Sequence, residues 1–107
     1  MKIDAGLFRL LGDEARLRLL RLLDRERLNV SELVSILGIA QSGVSRHLRL
    51  LREAGLVEEE RSSGWAFYRT RPAAFADGLL DDLRKGGEDD IGRLKEVLRL
   101  RQDRKPE

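Results

Sequence analysis

The segment from residue 31 to residue 57 contains two short helical patterns, and the second of them has two chemically different sides. At about 100° per residue, Val44, Leu48 and Leu51 fall on one narrow arc of the second helix. Amide, hydroxyl and guanidinium groups occupy the opposite arc, on Gln41, Ser42, Ser45, Arg46, Arg49 and Arg52. The apolar arc can pack against a core, while the polar arc presents the groups that read base edges and hold phosphates.

A turn containing Gly38 separates the two helices, and this arrangement is typical of a helix-turn-helix. The second helix covers about residues 41–54 and is predicted to stop at Gly55, because a glycine readily takes the positive φ that ends many helices. A strand-like run, a turn of two serines and a glycine, and an aromatic-rich return strand then form a predicted hairpin over residues 57–70. The sequence therefore predicts a winged helix-turn-helix, mainly α-helical with a small β-hairpin wing.

Two predicted helices precede the helix-turn-helix. The first covers about residues 3–11, and the second covers about residues 14–25 with a stripe of leucines along one side. Asp13 is placed to cap the second helix, and Ser31 is the expected cap of the third. Residues 28–30 have room only for a minimal strand, which we expect to pair with the wing.

Helical patterning resumes after the wing, over about residues 73–102, with an expected interruption at Gly86-Gly87. The last part of this segment carries an apolar stripe on an otherwise charged helix. A terminal amphipathic helix on so small a domain must bury its apolar stripe against another apolar surface. It can fold back on its own core, or it can meet the first helix of a second copy.

Length and charge fit a single nucleic-acid-binding domain. A chain of 107 residues can bury one modest core, which we place over residues 13–72. The net charge is only +2, and the positive excess lies in residues 1–71, which carry 13 Lys or Arg against 10 Asp or Glu. This is a weak electrostatic indication of a nucleic-acid partner. Neither a signal-peptide pattern nor a stretch of transmembrane length is present, so we expect a cytoplasmic location and no membrane partner.

Three segments resemble the ArsR-type (arsenic-repressor-type) winged-helix regulators: LGDEARLRLLRLL, SELVSILGIAQSGVSRHLRLLREAGLV and GWAFYRTRP. The resemblance covers roughly residues 5–72. It implies a homodimeric bacterial or archaeal transcription factor, usually a repressor, that binds a palindromic DNA operator. In that family the first and last helices form the dimer interface, which here would contain Ile3, Leu7, Phe8, Leu11, Ile91, Leu94, Val97 and Leu98.

The polar arc of the recognition helix allows residue-level predictions. Gln41, Ser42, Ser45 and Arg46 lie at or near its N-terminal end, where base contacts concentrate. Glutamine pairs bidentately with adenine and arginine with guanine. Arg49 and Arg52 lie further along the helix and are expected to meet phosphates. The alternative for the whole arc is a solvated polar face.

The wing combines candidate DNA contacts with an acidic run. Arg61, Ser63 and Gly64 at its tip suit the DNA backbone or minor groove, and Arg69 on the return strand is a further phosphate candidate. Strand alternation would direct Glu58 and Glu60 to one side of the hairpin and Glu59 to the other. These glutamates are expected to pair with arginines of the second helix or with Arg71. The aromatic residues Trp65, Phe67 and Tyr68 are expected to pack the hairpin rather than stack on bases.

The sequence departs from its family in ways that bear on sensing. Many metal-sensing relatives carry Cys-Val-Cys before the turn or His on the last helix, whereas this chain has no Cys and its single histidine is His47. We therefore predict no cofactor and no Cys- or His-based metal site, and we expect His47 to be packed. The acids Asp77, Asp81 and Asp82 and those at residues 88–90 could bind a hard cation, but stabilising a helix start is the better interpretation for residues 88–90. Ala40 stands where relatives often place a capping serine, so this helix start lacks that partner.

Other functions stay open at this stage. A winged helix can also serve as a protein-interaction module, and a Cys-poor sequence of this kind resembles the N-terminal regulatory part of longer methyltransferase proteins. The chain contains no Gly-rich cofactor loop, nucleophile–base pair or metal set, so we do not predict an enzyme. For a repressor, release from DNA is expected to come from a small molecule, a partner protein or a change in concentration.

Overall fold

A computed structural model describes residues 4–71 and 79–103 of the chain. Within those ranges the fold is mainly helical with one two-stranded antiparallel hairpin, which confirms the predicted winged helix-turn-helix. The predictions at Ile3 and Asp77, and the start of the helix expected from residue 73, lie outside the described residues. The elements are α1 (Ala5–Leu11), α2 (Glu14–Arg25), α3 (Val30–Leu37), α4 (Gln41–Glu53), β1 (Val57–Ser62), β2 (Trp65–Thr70), α5 (Leu79–Leu83) and α6 (Glu88–Asp103).

The first two helices each begin at an aspartate cap. The Asp4 carboxylate accepts a hydrogen bond from the backbone N–H of Leu7 at 2.9 Å, so α1 begins at Ala5, later than predicted. Asp13 accepts from the backbone N–H of Arg16 at 3.1 Å, which confirms the predicted cap of α2. These bonds satisfy N–H groups that have no partner inside the helix.

The cap of α3 is Asn29, and the prediction of Ser31 is wrong. The Asn29 side chain accepts from the backbone N–H of Glu32 at 2.8 Å, and the Glu32 carboxylate accepts from the backbone N–H of Asn29 at 3.0 Å. This reciprocal pair is a capping box, which starts the helix at Val30, two residues earlier than a cap at Ser31 would. The minimal strand is accordingly confined to Leu28, which exchanges two backbone hydrogen bonds with Tyr68 at 3.0 and 2.8 Å.

The hairpin has the predicted position and a single register. Val57 pairs with Thr70 at its base and Ser62 with Trp65 at its tip. Ser63 and Gly64 turn the chain with φ of 51° and 83°. Because Gly64 has no Cβ, it takes this left-handed conformation without strain.

The core lies between α2, α3 and α4 and is built from leucines. Val44, Leu48 and Leu51 are at most 2% exposed, so the apolar arc of α4 is buried as predicted. They meet the fully buried leucines of α2 and α3, and Leu56 and Val57 continue the core into the base of the hairpin. The recognition helix is thereby fixed through one side, and its opposite side is left for contacts outside the chain.

The last helix folds against its own chain. Gly86 and Gly87 have φ of 81° and 77°, which confirms the predicted interruption before α6. Leu94 is 4% exposed, and Val97 and Leu98 pack against the same core. Of the two arrangements that the sequence allowed for this helix, the single chain adopts the one in which α6 caps its own core. No helix in the described ranges is both long enough and apolar enough to cross a membrane.

Candidate nucleic-acid interface

The N-terminal end of α4 presents a compact group of polar side chains. Gln41, Ser42, Ser45 and Arg46 are all exposed, and none of their side chains is hydrogen bonded or ion paired within residues 4–71 and 79–103. Ala40 precedes them and makes no side-chain cap, as expected from its methyl group. Backbone N–H groups at this helix start therefore remain available to an outside acceptor. The four candidate base-reading residues are thus brought together and left without protein partners.

The later arginines of α4 lie in a different environment. Arg49 is 4.0 Å from Glu53 one helical turn further on, and both side chains are largely exposed. Arg52 donates through Nη1 to Glu59 Oε2 at 2.6 Å, so the end of α4 is tied to the first strand of the wing. These two phosphate candidates are already ion paired in the free chain.

The arginines of the wing are paired in the same way. Glu59 also lies 3.4 Å from Arg61, so one carboxylate holds a cation of the wing tip as well as Arg52. On the opposite face, Arg69 donates to Glu58 at 2.5 Å and lies 3.8 Å from Glu60. The hydrogen bond to Glu58 raises the pKa of Arg69 above its usual value. Ser63 and Gly64 at the tip are exposed and remain accessible.

The predicted partners of the acidic run are partly corrected. The alternation is confirmed, because Glu58 and Glu60 share Arg69 while Glu59 faces α4. Arg71 lies 3.7 Å from Glu58, as expected, but Glu60 pairs at 3.4 Å with Arg27, which lies beyond the end of α2. The sequence did not lead us to predict that these glutamates pair with arginines that are themselves predicted DNA contacts. The hairpin register, which places Glu58 opposite Arg69, could have indicated one such pair.

His47 lies beneath the recognition face and is packed, as predicted. It is 6% exposed, and its Nδ1 lies 3.3 Å from Nη1 of Arg16, a permanent donor, so Nδ1 acts as the acceptor. Burial lowers the pKa of His47, an effect that the nearby Asp13 carboxylate partly opposes. The imidazole therefore supports α4 from the core side and does not take part in the exposed surface.

The sequence pattern of bacterial regulatory proteins of the arsR family matches residues 13–59. The chain is also 36% identical over 97 residues to the arsenic resistance transcriptional regulator ArsR1 of Pseudomonas putida, covering 84% of this chain and 76% of that protein. The chain belongs to the ArsR family. It is a DNA-binding transcriptional regulator with a winged helix-turn-helix fold.

Two further comparisons extend this assignment to the ArsR family. The arsenical resistance operon repressor of Escherichia coli is 39% identical over 79 residues, covering 71% of this chain and 68% of that one. The homodimeric winged helix-turn-helix DNA-binding domain of Mb0332 from Mycobacterium bovis superposes with a TM-score of 0.57, covering 95% of this chain and 81% of that one. At 22% identity, the second likeness supports the fold alone.

The aromatic residues of this ArsR-family wing divide into two groups. Tyr68 packs against the core, and Phe67 lies under the guanidinium groups of Arg27 and Arg101 at 4.5 and 5.5 Å from its ring centre. Trp65, however, is 56% exposed, so the expectation that it packs the hairpin is wrong. It sits at the hairpin tip opposite Ser62, beyond the reach of the core that buries Tyr68.

The candidate dimer residues differ widely in exposure. Leu7 and Leu94 are 9% and 4% exposed because their own chain covers them. Phe8 of α1, by contrast, is 68% exposed. The remaining described candidates are half-buried, namely Leu11, Ile91, Val97 and Leu98.

Acidic residues at the start of α6 serve the fold. Asp90 is 6% exposed and accepts two hydrogen bonds from Arg18, at 2.8 and 2.9 Å. These bonds hold the pKa of Asp90 below its usual value. Across the described ranges no three His, Cys, Asp or Glu side chains are grouped so that they could hold a metal ion.

Proposed function

We propose that this protein is a homodimeric, cytoplasmic repressor that binds a palindromic operator through α4 and the wing. The observation that carries the proposal is the exposed, unpaired group at the start of α4. Helix-turn-helix proteins read bases with the N-terminal part of their second helix. Gln41 can donate to N7 and accept from N6 of an adenine, and Arg46 can donate to both N7 and O6 of a guanine. Ser42 and Ser45 add short hydroxyl contacts.

The remaining candidates suit the DNA backbone. Arg49 and Arg52 follow the reading residues along α4, and Arg61, Ser63, Gly64 and Arg69 extend the surface into the wing. Phosphate contacts fix the register of a protein on the duplex without reading sequence. Arg52, Arg61 and Arg69 would each exchange a glutamate for a phosphate when DNA binds.

A dimer supplies two recognition helices for successive major grooves, about 34–36 Å apart. Phe8 supports this assembly, because its 68% exposure leaves a large aromatic side chain uncovered on α1. We place the interface around Phe8, Leu11, Ile91, Val97 and Leu98, with Leu7 and Leu94 supporting it from below. Sedimentation at rising protein concentration tests this part, and a Phe8→Gln chain is expected to dissociate more readily.

The test of operator reading is a fluorescence-anisotropy titration. The probes are DNA from upstream of the protein's own gene and a scrambled control, each at low and physiological salt. Tight binding to the first and weak, strongly salt-dependent binding to the second is the expected result. No binding to either at low salt would overturn the proposal.

A protein-interaction module is the second candidate function. The pairing of the wing arginines with Glu58 and Glu59 favours it, because these cations are partly neutralised before any DNA arrives. Salt dependence separates the two functions, since phosphate contacts release counterions and weaken steeply as salt rises.

A further inference from the structure

A groove between α3, β2 and α6 takes no part in the DNA surface and shares only Val97 with the proposed dimer contact. It is open at one side and has a volume of about 540 Å³. Trp65 and Leu100, which are 56% and 41% exposed, both line it. Pockets of roughly 300–1,000 Å³ are the usual size for small organic ligands.

The apolar walls of this groove are aromatic on one side and aliphatic on the other. Trp65 and Phe67 are two residues apart on β2 and therefore share a face of the strand. Val97 and Leu100 are three residues apart on α6 and share a face of the helix. A flat hydrophobic molecule between these walls would contact aromatic surface that now faces water.

The charged side chains of the groove are compensated by each other. Arg101 donates to both oxygens of Glu32, at 2.6 and 2.9 Å. Arg27, which lies over the ring of Phe67, is 3.4 Å from Glu60. A charged ligand would gain little here, because each cation already has its carboxylate. The polar residues that line the groove without belonging to an ion pair are Asn29, which caps α3, and Ser31 and Ser35, which lie one turn apart on that helix.

We propose that this groove binds a small uncharged aromatic molecule that regulates the protein. The site belongs at once to the first helix of the helix-turn-helix, to the wing and to the last helix. A molecule that fits between them would change the position of the wing relative to α3, and hence the affinity for DNA. The inference that the groove is a binding site depends only on the groove itself. The regulatory role also rests on the proposed DNA-binding function.

Trp65 is the only tryptophan in the chain and therefore reports on this groove specifically. The probe is N-phenyl-1-naphthylamine, an uncharged aromatic amine that absorbs tryptophan emission and becomes fluorescent in apolar sites. Its sulfonated form, 1-anilinonaphthalene-8-sulfonate, has the same rings and a negative charge. Saturable energy transfer from Trp65, with tighter binding of the uncharged probe, is the expected result. No energy transfer, or tighter binding of the sulfonate, would overturn the proposed ligand class.

Two matched variants locate the probe. Leu100→Gln alters the groove wall at an exposed position, and Lys95→Gln alters an exposed side chain of the same helix outside the groove. We expect Leu100→Gln to weaken probe binding about tenfold and Lys95→Gln to leave it within about twofold of the unchanged chain. Equal effects of the two variants, or no effect of Leu100→Gln, would overturn the site. Circular dichroism checks that both variants are folded.

The regulatory role is tested by repeating the operator titration with the groove saturated by the uncharged probe. A several-fold loss of operator affinity that the Leu100→Gln chain does not show is expected. An unchanged affinity would overturn the regulatory role. If the protein did not bind DNA at all, the titration without probe would show this. That result would overturn the proposed function, but it would not affect the evidence that the probe binds in the groove.

Discussion

The start of α4 and the wing are both rich in groups that can contact DNA, but the two regions differ in what those groups contact in the free chain. The side chains of Gln41, Ser42, Ser45 and Arg46 are exposed and have no hydrogen-bond or ion-pair partner among the described residues. In the wing, Arg61 and Arg69 are both held by glutamates. In the proposed DNA complex, new hydrogen bonds to bases would form directly at the helix start, whereas the wing would give up existing ion pairs.

This difference predicts how binding free energy is divided. An exposed ion pair contributes about 0–1 kcal/mol. When Arg52 or Arg61 exchanges Glu59 for a phosphate, one ion pair replaces another, so the net gain in binding free energy is small. A bidentate contact of an unpaired arginine with a guanine contributes about 1–3 kcal/mol of discrimination. Sequence preference should then come from the start of α4, and the wing should mainly set overall affinity and its dependence on salt.

The largest expected effect is that of Arg46→Ala. Losing a base contact should weaken operator binding by about 1–3 kcal/mol and relax the preference at one base position. Anisotropy titrations against operators changed one base pair at a time measure this. Arg49→Ala serves as the control and should weaken all sequences alike. If Arg46→Ala also weakens all sequences equally, Arg46 is a phosphate contact and the comparison fails.

Glu59→Gln should act in the opposite direction. The substitution releases Arg52 and Arg61 and removes a negative charge beside the DNA, so operator and scrambled DNA should both bind more tightly, by about 1 kcal/mol or less. The salt dependence should also become steeper. Glu53→Gln, which frees only the exposed Arg49, is the matched control. Weaker binding would instead make Glu59 a residue that positions Arg52 for DNA.

Ala40→Ser tests the uncapped start of α4. The backbone at residue 40 is extended, with φ −62° and ψ 148°, which suits a capping serine. A new cap should raise the free energy of unfolding by about 0.5–1 kcal/mol, measured by urea denaturation. An unchanged or lower free energy would show that the N–H groups at this helix start already have adequate partners.

The smallest expected effect concerns pH, because Asp13 partly opposes the lowering of the His47 pKa by burial. The unfolded chain takes up a proton below the usual histidine pKa of 6.5, while folded His47 resists protonation until a lower pH. Protons therefore bind more strongly to the unfolded chain in this window, and the free energy of unfolding should fall as the pH drops through it. Urea denaturation across the window measures the fall. Because His47 is the only histidine, a His47→Gln chain should show a much flatter profile, and an equal slope would contradict the assignment.

The sequence predicted the elements whose signals are local. The buried arc of α4 follows from the spacing of Val44, Leu48 and Leu51, and the hairpin follows from its turn residues. The capping box of α3 was also readable, because Asn29 is followed three residues later by Glu32, but the serine nearer the apolar run was preferred. Local patterns were therefore sufficient wherever the residues of a single element determine its structure.

Features that join distant elements were harder to predict. An apolar stripe on α6 has the same spacing whether it covers its own core or a second copy, so the burial of Leu94 needed the tertiary structure. The exposure of Trp65 depends on how far the core extends under the hairpin, which composition does not reveal. The contact between Arg52 and Glu59 likewise requires the angle between α4 and the wing.

The carboxylate of Glu32 has two separate tasks, and this limits how the chain can change. It accepts the Asn29 backbone N–H that begins α3, and it accepts Arg101 near the far end of the chain. Residues 69 positions apart in sequence are thus joined through one side chain. A substitution at position 101 would therefore remove an ion pair from the carboxylate that begins α3, so we expect positions 32 and 101 to change together.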